Sequence, residues 1–97
     1  MIECLLTIEN RLGLHARPAS LFVQAANKYK SKIRVIKDNL EVDGKSIMGL
    51  LMLAAPKGTI LKIVADGEDE AAAVEHLKKL FESRFGEDQD YQVNINE

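Results

Sequence analysis

The chain has 97 residues, which suffices for one domain and leaves too little for a second hydrophobic core. It carries 13 Lys and Arg against 15 Asp and Glu, a net charge of −2, and 46% of its residues are hydrophobic, so disorder along the whole chain is excluded. The slight negative charge and the 5% aromatic content argue against a nucleic-acid-binding protein, which needs a basic face and stacking rings.

The sequence also argues against a membrane protein, a secreted protein and a cysteine-rich metal site. The longest strongly apolar run, from Ile47 to Pro56, is about half of what crosses a bilayer. The stretch from Met1 to Asn10 lacks a basic segment and is predicted to be a strand of the mature protein, so we expect a cytoplasmic location. Cys4 is the only cysteine, which excludes an internal disulfide and a multi-cysteine metal site. We therefore expect neither a metal nor a cofactor.

The first predicted elements are a strand and an amphipathic helix. Ile2 to Glu9 alternates between apolar and polar residues, with Leu5 as the one misfit, and this is the period of a half-buried strand. A loop that contains Gly13 follows, and apolar residues then recur at helical spacing from about Ala16 to Tyr29. Pro18 favours this helix start, because a proline in the first turn gives up only an N–H that the helix leaves unpaired.

A hairpin and a short helix are predicted next. Lys32 to Lys37 and Leu40 to Val42 alternate on either side of Asp38 and Asn39, and these two residues tolerate the positive φ of a tight turn. Ser46 then precedes a short apolar segment, which predicts a helix with this serine as its N-cap.

A β-rich run and a longer helix complete the pattern. Thr59 to Ala65 is predicted to be a strand. Glu68 to about Phe85 is predicted to be a helix, with an acidic first turn, a basic end and Gly86 as the residue after its C-cap. The order β-α-β-β-α-β-α predicts an α+β fold with one sheet covered by helices on one face. The polar stretch from Glu87 to Glu97 is predicted to be either a disordered tail or an extra edge strand.

His15 is the candidate reactive residue, because it lies between a glycine-containing loop and a helix start. The N–H groups of Ala16, Arg17 and Ala19 are expected to be free there, and the positive end of the helix dipole favours an anion. Arg17 adds a planar cation in the first turn, where it is electrostatically unfavourable unless an anion binds. A neutral imidazole is a nucleophile for phosphorus, so this setting suits phosphoryl transfer. The simpler alternative is that His15 only caps the helix and Arg17 is a surface charge.

Three segments resemble the HPr family, the histidine-containing phosphocarriers of the bacterial phosphoenolpyruvate:sugar phosphotransferase system. Asn10 to Ala19 resembles its phosphorylation-site signature, Lys45 to Gly49 its regulatory serine motif, and Gly67 to Leu77 its last helix. The resemblance covers residues 2–86, which places a phosphocarrier domain at 1–86 and a tail at 87–97. It implies an open-faced β-sandwich, in which three helices lie on one face of a four-stranded antiparallel sheet.

The resemblance implies a carrier that is transiently phosphorylated and is not an enzyme. His15 would accept a phosphoryl group on Nδ1 from phosphorylated enzyme I and pass it to an enzyme IIA domain. Arg17 would steady the group, together with the backbone of Ala16 and Arg17. Both partners would dock on an apolar surface, for which the candidates are Leu14, Ile47, Met48 and Leu51.

The resemblance also implies that Ser46 is a regulatory site for a serine kinase of the HPr kinase/phosphorylase type. A phosphate at this helix start would suit the dipole, and its charge would repel acidic partners of His15. The alternative is that Ser46 is an N-cap with no further role.

Two other interpretations remain open from the sequence. The first six elements also have the order of a ferredoxin-like domain, which commonly serves in amino-acid sensing or RNA binding. Such a module does not need an arginine two residues after a histidine at a helix start. Within the phosphocarrier class, the chain could instead serve a nitrogen-related regulatory branch.

Overall fold

The computed structural model describes residues 1–87, and these form one antiparallel sheet with helices packed on one face. The strands are β1 (Ile2–Thr7), β2 (Lys32–Lys37), β3 (Leu40–Asp43) and β4 (Ile60–Asp66). The helices are α1 (Ala16–Ala26), α2 (Ile47–Met52) and α3 (Glu70–Glu82), followed by a 3-10 turn (Arg84–Gly86). The predicted element order and fold class are confirmed. The alternative of an edge strand or a disordered tail after Glu87 lies outside the described residues.

The sheet has the order β1-β4-β2-β3, and its strands alternate between a core face and an open face. Leu6, Ile33 and Ile63 are buried against the helices, whereas Leu5 and Ile60 are exposed. Leu5 therefore occupies the open face as the period of the strand requires. The helices cover the other face, which is the core face of the sheet.

The first helix ends earlier than predicted. α1 stops at Ala26, and Asn27 is its C-cap. The next two N–H groups, of Lys28 and Tyr29, donate to carbonyls three residues back, at 3.1 and 3.2 Å. The chain therefore tightens into a turn here, as helix ends commonly do.

The last helix also ends earlier than predicted. α3 stops at Glu82, because Arg84 and Phe85 have φ angles of 56° and 53°, which a right-handed helix cannot contain. Gly86, with a φ of 72°, belongs to the 3-10 turn and is not the residue after the C-cap of α3. The chain consequently turns back toward the start of α1.

The loop that leads into α1 is held against the segment after α2. The N–H of Ile8 donates to the carbonyl of Thr59 at 2.9 Å, and the N–H of Leu14 donates to the carbonyl of Ala55 at 2.9 Å. Gly13 lies beside this contact with a φ of +76°, and a Cβ there would be 2.7 Å from the Ala55 oxygen. The loop can approach this closely only because position 13 is glycine.

We predict that Gly13→Ala lowers the free energy of unfolding by at least about 2 kcal/mol, because it combines backbone strain with a clash against main-chain atoms. Gly58→Ala is the matched control, since Gly58 also has a positive φ, +93°, but a Cβ there would meet no atom within 4 Å. Urea unfolding measures both variants. Equal losses of unfolding free energy in the two variants would show that the close approach of Gly13 to Ala55 does not matter for stability.

The pKa of Asp69, at the start of α3, lies below its usual range. The main cause is the hydrogen bond from the Ser31 hydroxyl to its carboxylate, and the N–H groups of Lys30 and Ser31 also donate to it, at 2.8 and 3.0 Å. These donors stabilise the charged carboxylate and connect α3 to the segment between α1 and β2.

Folding lowers the pKa of Asp69, so the ionised carboxylate stabilises the folded state. This contribution to the free energy of unfolding is present above the pKa of the unfolded state, about 3.9, and it is lost as the pH falls through the lower pKa of the folded state. We predict that Asp69→Asn reduces stability at pH 7 and flattens the acid limb of a plot of stability against pH. Chemical denaturation at a series of pH values tests this. Asp38→Asn, in the β2–β3 turn, is the control, and an identical acid limb in both variants would contradict the prediction.

Candidate functional site

His15 is the N-cap residue of α1, and its backbone, not its ring, forms the cap. The backbone is extended, with φ −108° and ψ −166°, and the carbonyl accepts the first hydrogen bond of the helix from the N–H of Ala19 at 3.0 Å. The imidazole makes no capping hydrogen bond, and its side chain is 39% exposed. His15 therefore caps α1 through its backbone alone, and its imidazole takes no part in the cap. The expectation of a free N–H at Ala19 is wrong, because that group is already bonded.

The start of α1 keeps hydrogen-bond donors and a cation available to an anion. The N–H groups of Ala16 and Arg17 precede the first helical bond and have no backbone partner among residues 1–87. The first turn of α1 contains no acidic residue. The Arg17 side chain is exposed, and within the described part of the chain it forms no ion pair. Two N–H groups and a guanidinium thus surround the helix end that carries His15.

A carboxylate lies against the imidazole. Glu87 Oε2 is 2.8 Å from His15 Nε2, a distance typical of an ion pair, although the two groups are not aligned as a hydrogen bond. Glu87 Oε1 accepts a hydrogen bond from Asn10 Nδ2 at 2.9 Å. The same Asn10 nitrogen donates to the carbonyl of Gly13 at 2.7 Å. The loop before α1 and the last described residue therefore meet at the His15 ring.

Phe85 brings Glu87 to this position. Its ring is buried, and its centroid is 5.1 Å from that of Phe81 in α3. Its left-handed backbone costs on the order of 1 kcal/mol, and burial of the ring offsets this. Asn10 belongs to the motif from Asn10 to Ala19, but sequence reasoning did not predict its contact with Glu87, because 77 positions separate the two residues.

Ser46 is the N-cap of α2, as predicted. Its Oγ accepts a hydrogen bond from the N–H of Gly49 at 3.0 Å. The neighbouring Lys45 side chain donates to the carbonyl of Tyr29 at 2.7 Å, which connects the start of α2 to the end of α1. A Cβ at Gly49 would be 3.2 Å from the Cβ of Val42, so α2 and β3 pack closely. Ser46 itself is half-buried.

The outer face of α2 is apolar and exposed. Its residues follow the spacing i, i+1, i+4, i+5, which places them on one side of a helix, and we call them the α2 apolar face: Ile47, Met48, Leu51 and Met52. Met48 and Met52 are the most exposed of them, at 75% and 68%. Leu50 lies on the opposite side and is buried in the core. Met52 was not predicted to belong to this surface, although the helical spacing indicates it.

Leu14 does not belong to an exposed surface. Its side chain is 6% exposed and packs in the core, because its N–H bond to Ala55 pulls this part of the loop inward. The prediction of Leu14 as a docking residue is therefore wrong. Leu12, two residues earlier, is exposed instead.

The described residues suit phosphoryl transfer by side chains and backbone. An exposed imidazole can act as a nucleophile, and nearby N–H groups and a guanidinium can complement a phosphoryl oxygen anion. None of the helices within residues 1–87 has the length and apolar character to span a membrane. The same residues contain no group of three or more His, Cys, Asp or Glu side chains arranged to hold a metal ion.

A family model, a protein of known name and two solved structures all relate this chain to the same family. The family model described as the PTS HPr component phosphorylation site matches residues 2–83. The chain is 47% identical to phosphocarrier protein HPr of Xylella fastidiosa, over 91% of this chain and 99% of that protein. A crystal structure of HPr from Thermoanaerobacter tengcongensis is 50% identical, with a TM-score of 0.87 over 91% of this chain and 99% of that one. The solution structure of Crh, the Bacillus subtilis catabolite repression HPr, is 42% identical, with a TM-score of 0.61 over 82% and 95% of the two chains. The chain therefore belongs to the HPr family of the phosphotransferase system, whose members are transiently phosphorylated carriers and not enzymes.

Proposed function

We propose that this chain accepts a phosphoryl group on His15 from phosphorylated enzyme I and passes it to an enzyme IIA domain in the bacterial cytoplasm. The observation that carries the proposal is the exposed imidazole at the start of α1. It makes no capping hydrogen bond and lies beside the free backbone N–H groups of Ala16 and Arg17. A phosphoryl group on this ring lies at the positive end of the helix dipole. The Arg17 guanidinium supplies a second positive charge.

The carrier role requires moderate stabilisation of the phosphohistidine. The group must remain bound while the protein diffuses between partners, and it must leave again when the acceptor is in place. Exposed backbone donors and one arginine suit both needs, because they can bind phosphoryl oxygens while they leave the group accessible to either partner. Because donor and acceptor both have to reach His15, they compete for one surface.

The α2 apolar face supports this docking. Ile47, Met48 and Leu51 are exposed, and Met52 extends the surface that they form. A contiguous apolar patch on a small protein typically marks an interaction site. α1 and α2 pack against each other, so the patch belongs to the same helical layer as His15.

Incubation with phosphoenolpyruvate, Mg²⁺ and enzyme I is expected to add one acid-labile phosphate, detected by intact mass. His15→Ala is expected to abolish the gain. Arg17→Ala is expected to slow it by about 10²-fold, as loss of a donor to a developing anion does elsewhere, without changing the unfolding free energy. A known HPr in the same tube is the positive control. If the chain remains unlabelled with its own cognate enzyme I as well, the proposal is wrong.

We further propose that a kinase of the HPr kinase/phosphorylase type modifies Ser46 and thereby controls docking. Ser46 caps α2, and a phosphate there stays compatible with the helix dipole. Ile47 and Met48 follow directly, so the added charge lies at the edge of the α2 apolar face. The related Crh protein is named for catabolite repression, which supports a regulatory use of the fold.

Ser46→Asp is expected to lower the rate of phosphoryl transfer from enzyme I by about tenfold, because a negative charge next to a docking surface repels an acidic partner. Ser46→Ala is the matched control. It removes the cap, at a cost of about 1 kcal/mol of stability, but adds no charge, so its transfer rate is expected to stay unchanged. A wild-type rate for Ser46→Asp would refute the regulatory proposal.

A further inference from the structure

Glu87 contacts the His15 ring at Nε2. Its Oε2 is 2.8 Å from His15 Nε2, and its side chain is only 10% exposed. It is the sole carboxylate found within ion-pair distance of His15 in residues 1–87. The contact pairs one ring nitrogen with a fixed anion and leaves Nδ1 as the other nitrogen.

Asn10 fixes the position of this carboxylate. The residue is fully buried, and its Nδ2 donates both to Glu87 Oε1 at 2.9 Å and to the Gly13 carbonyl at 2.7 Å. Both partners are acceptors only, so the opposite orientation of the amide would place its oxygen against two other oxygens. Its own Oδ1 is buried without a partner within the described residues. The amide thus leaves one polar atom unpaired while it holds Glu87, which is costly in a buried site.

An ionised carboxylate only accepts hydrogen bonds, so the nitrogen that it faces has to carry the proton. In a neutral imidazole the other nitrogen then holds the lone pair. We propose that Glu87 is a positioning residue that selects the Nε2–H tautomer of His15 and thereby makes Nδ1 the nucleophile. The inference rests on the proposed function of His15. The imperfect alignment in the free protein is compatible with it, because such contacts commonly tighten only in the reacting complex.

This arrangement accounts for each bond and each proton in the transfer step. The Nδ1 lone pair forms the bond to phosphorus while the bond between phosphorus and the donor breaks, and that electron pair leaves with the donor. The proton stays on Nε2, so the ring of the phosphorylated His15 is positively charged. Glu87 then faces this charge across the Nε2–H, on the side of the ring away from phosphorus. The carboxylate therefore stays in place in both directions of transfer.

The test compares the full chain with Glu87→Gln, which keeps the size of the side chain and removes its charge. Glu82→Gln, at the exposed end of α3, is the matched control for loss of one negative charge. The first readout is the tautomer of His15 from the ¹⁵N shifts of its ring, and His76, the second of the two histidines in the sequence, is the internal reference. The second is kcat/KM for phosphoryl transfer from phosphorylated enzyme I.

We expect the Nε2–H tautomer to predominate in the wild type and to lose population in Glu87→Gln, with kcat/KM lowered by about tenfold, as for loss of other groups that orient a histidine. Glu82→Gln is expected to change neither readout. An unchanged tautomer in Glu87→Gln would overturn the proposal. So would an unchanged or faster transfer, and a faster transfer would make Glu87 a blocking anion. If no variant accepts phosphate at all, the proposed function fails, while the tautomer readout still decides the role of Glu87.

Discussion

The close contact between the loop before α1 and the segment after α2 is the constraint on which the site depends. The Leu14 N–H bond to Ala55 and the absence of a side chain at Gly13 draw the loop inward. His15 consequently precedes the first turn of α1 with an extended backbone, and its ring makes no capping hydrogen bond. The same loop buries Asn10, whose amide reaches the end of the described chain. This main-chain contact thus shapes the loop that carries both the imidazole and the Asn10 amide that binds Glu87.

The fold follows from local patterns that are recognisable in the sequence. Asp38 takes the positive φ that a tight hairpin needs, and Ser46 bonds to the N–H three residues on. The alternation of the strands predicts which side chains face the helices, and Leu5 is exposed for that reason. The HPr-family match then excludes the ferredoxin-like alternative, which has the same order for its first six elements.

The candidate site is only partly predictable, because its remaining parts depend on distant contacts. His15 and Arg17 belong to a local motif at a helix start, and the sequence alone identifies them. The burial of Leu14 depends on Ala55, and the place of Glu87 depends on the buried ring of Phe85. A periodicity argument cannot distinguish a buried apolar loop residue from an exposed one. It also extends α3 too far, because the left-handed backbone that ends this helix is supported only by tertiary packing.

A phosphocarrier needs one nitrogen that reacts and one that does not, and the two sides of the His15 ring have different neighbours here. Glu87, which Asn10 holds by a hydrogen bond, faces Nε2, and we propose that the transferred group binds Nδ1. The most direct measurement is heteronuclear NMR of the ¹⁵N-labelled protein after phosphorylation by enzyme I, which identifies the ring nitrogen coupled to phosphorus. We predict coupling to Nδ1 of His15. Coupling to Nε2, or phosphorus on any other residue, would contradict the proposed mechanism.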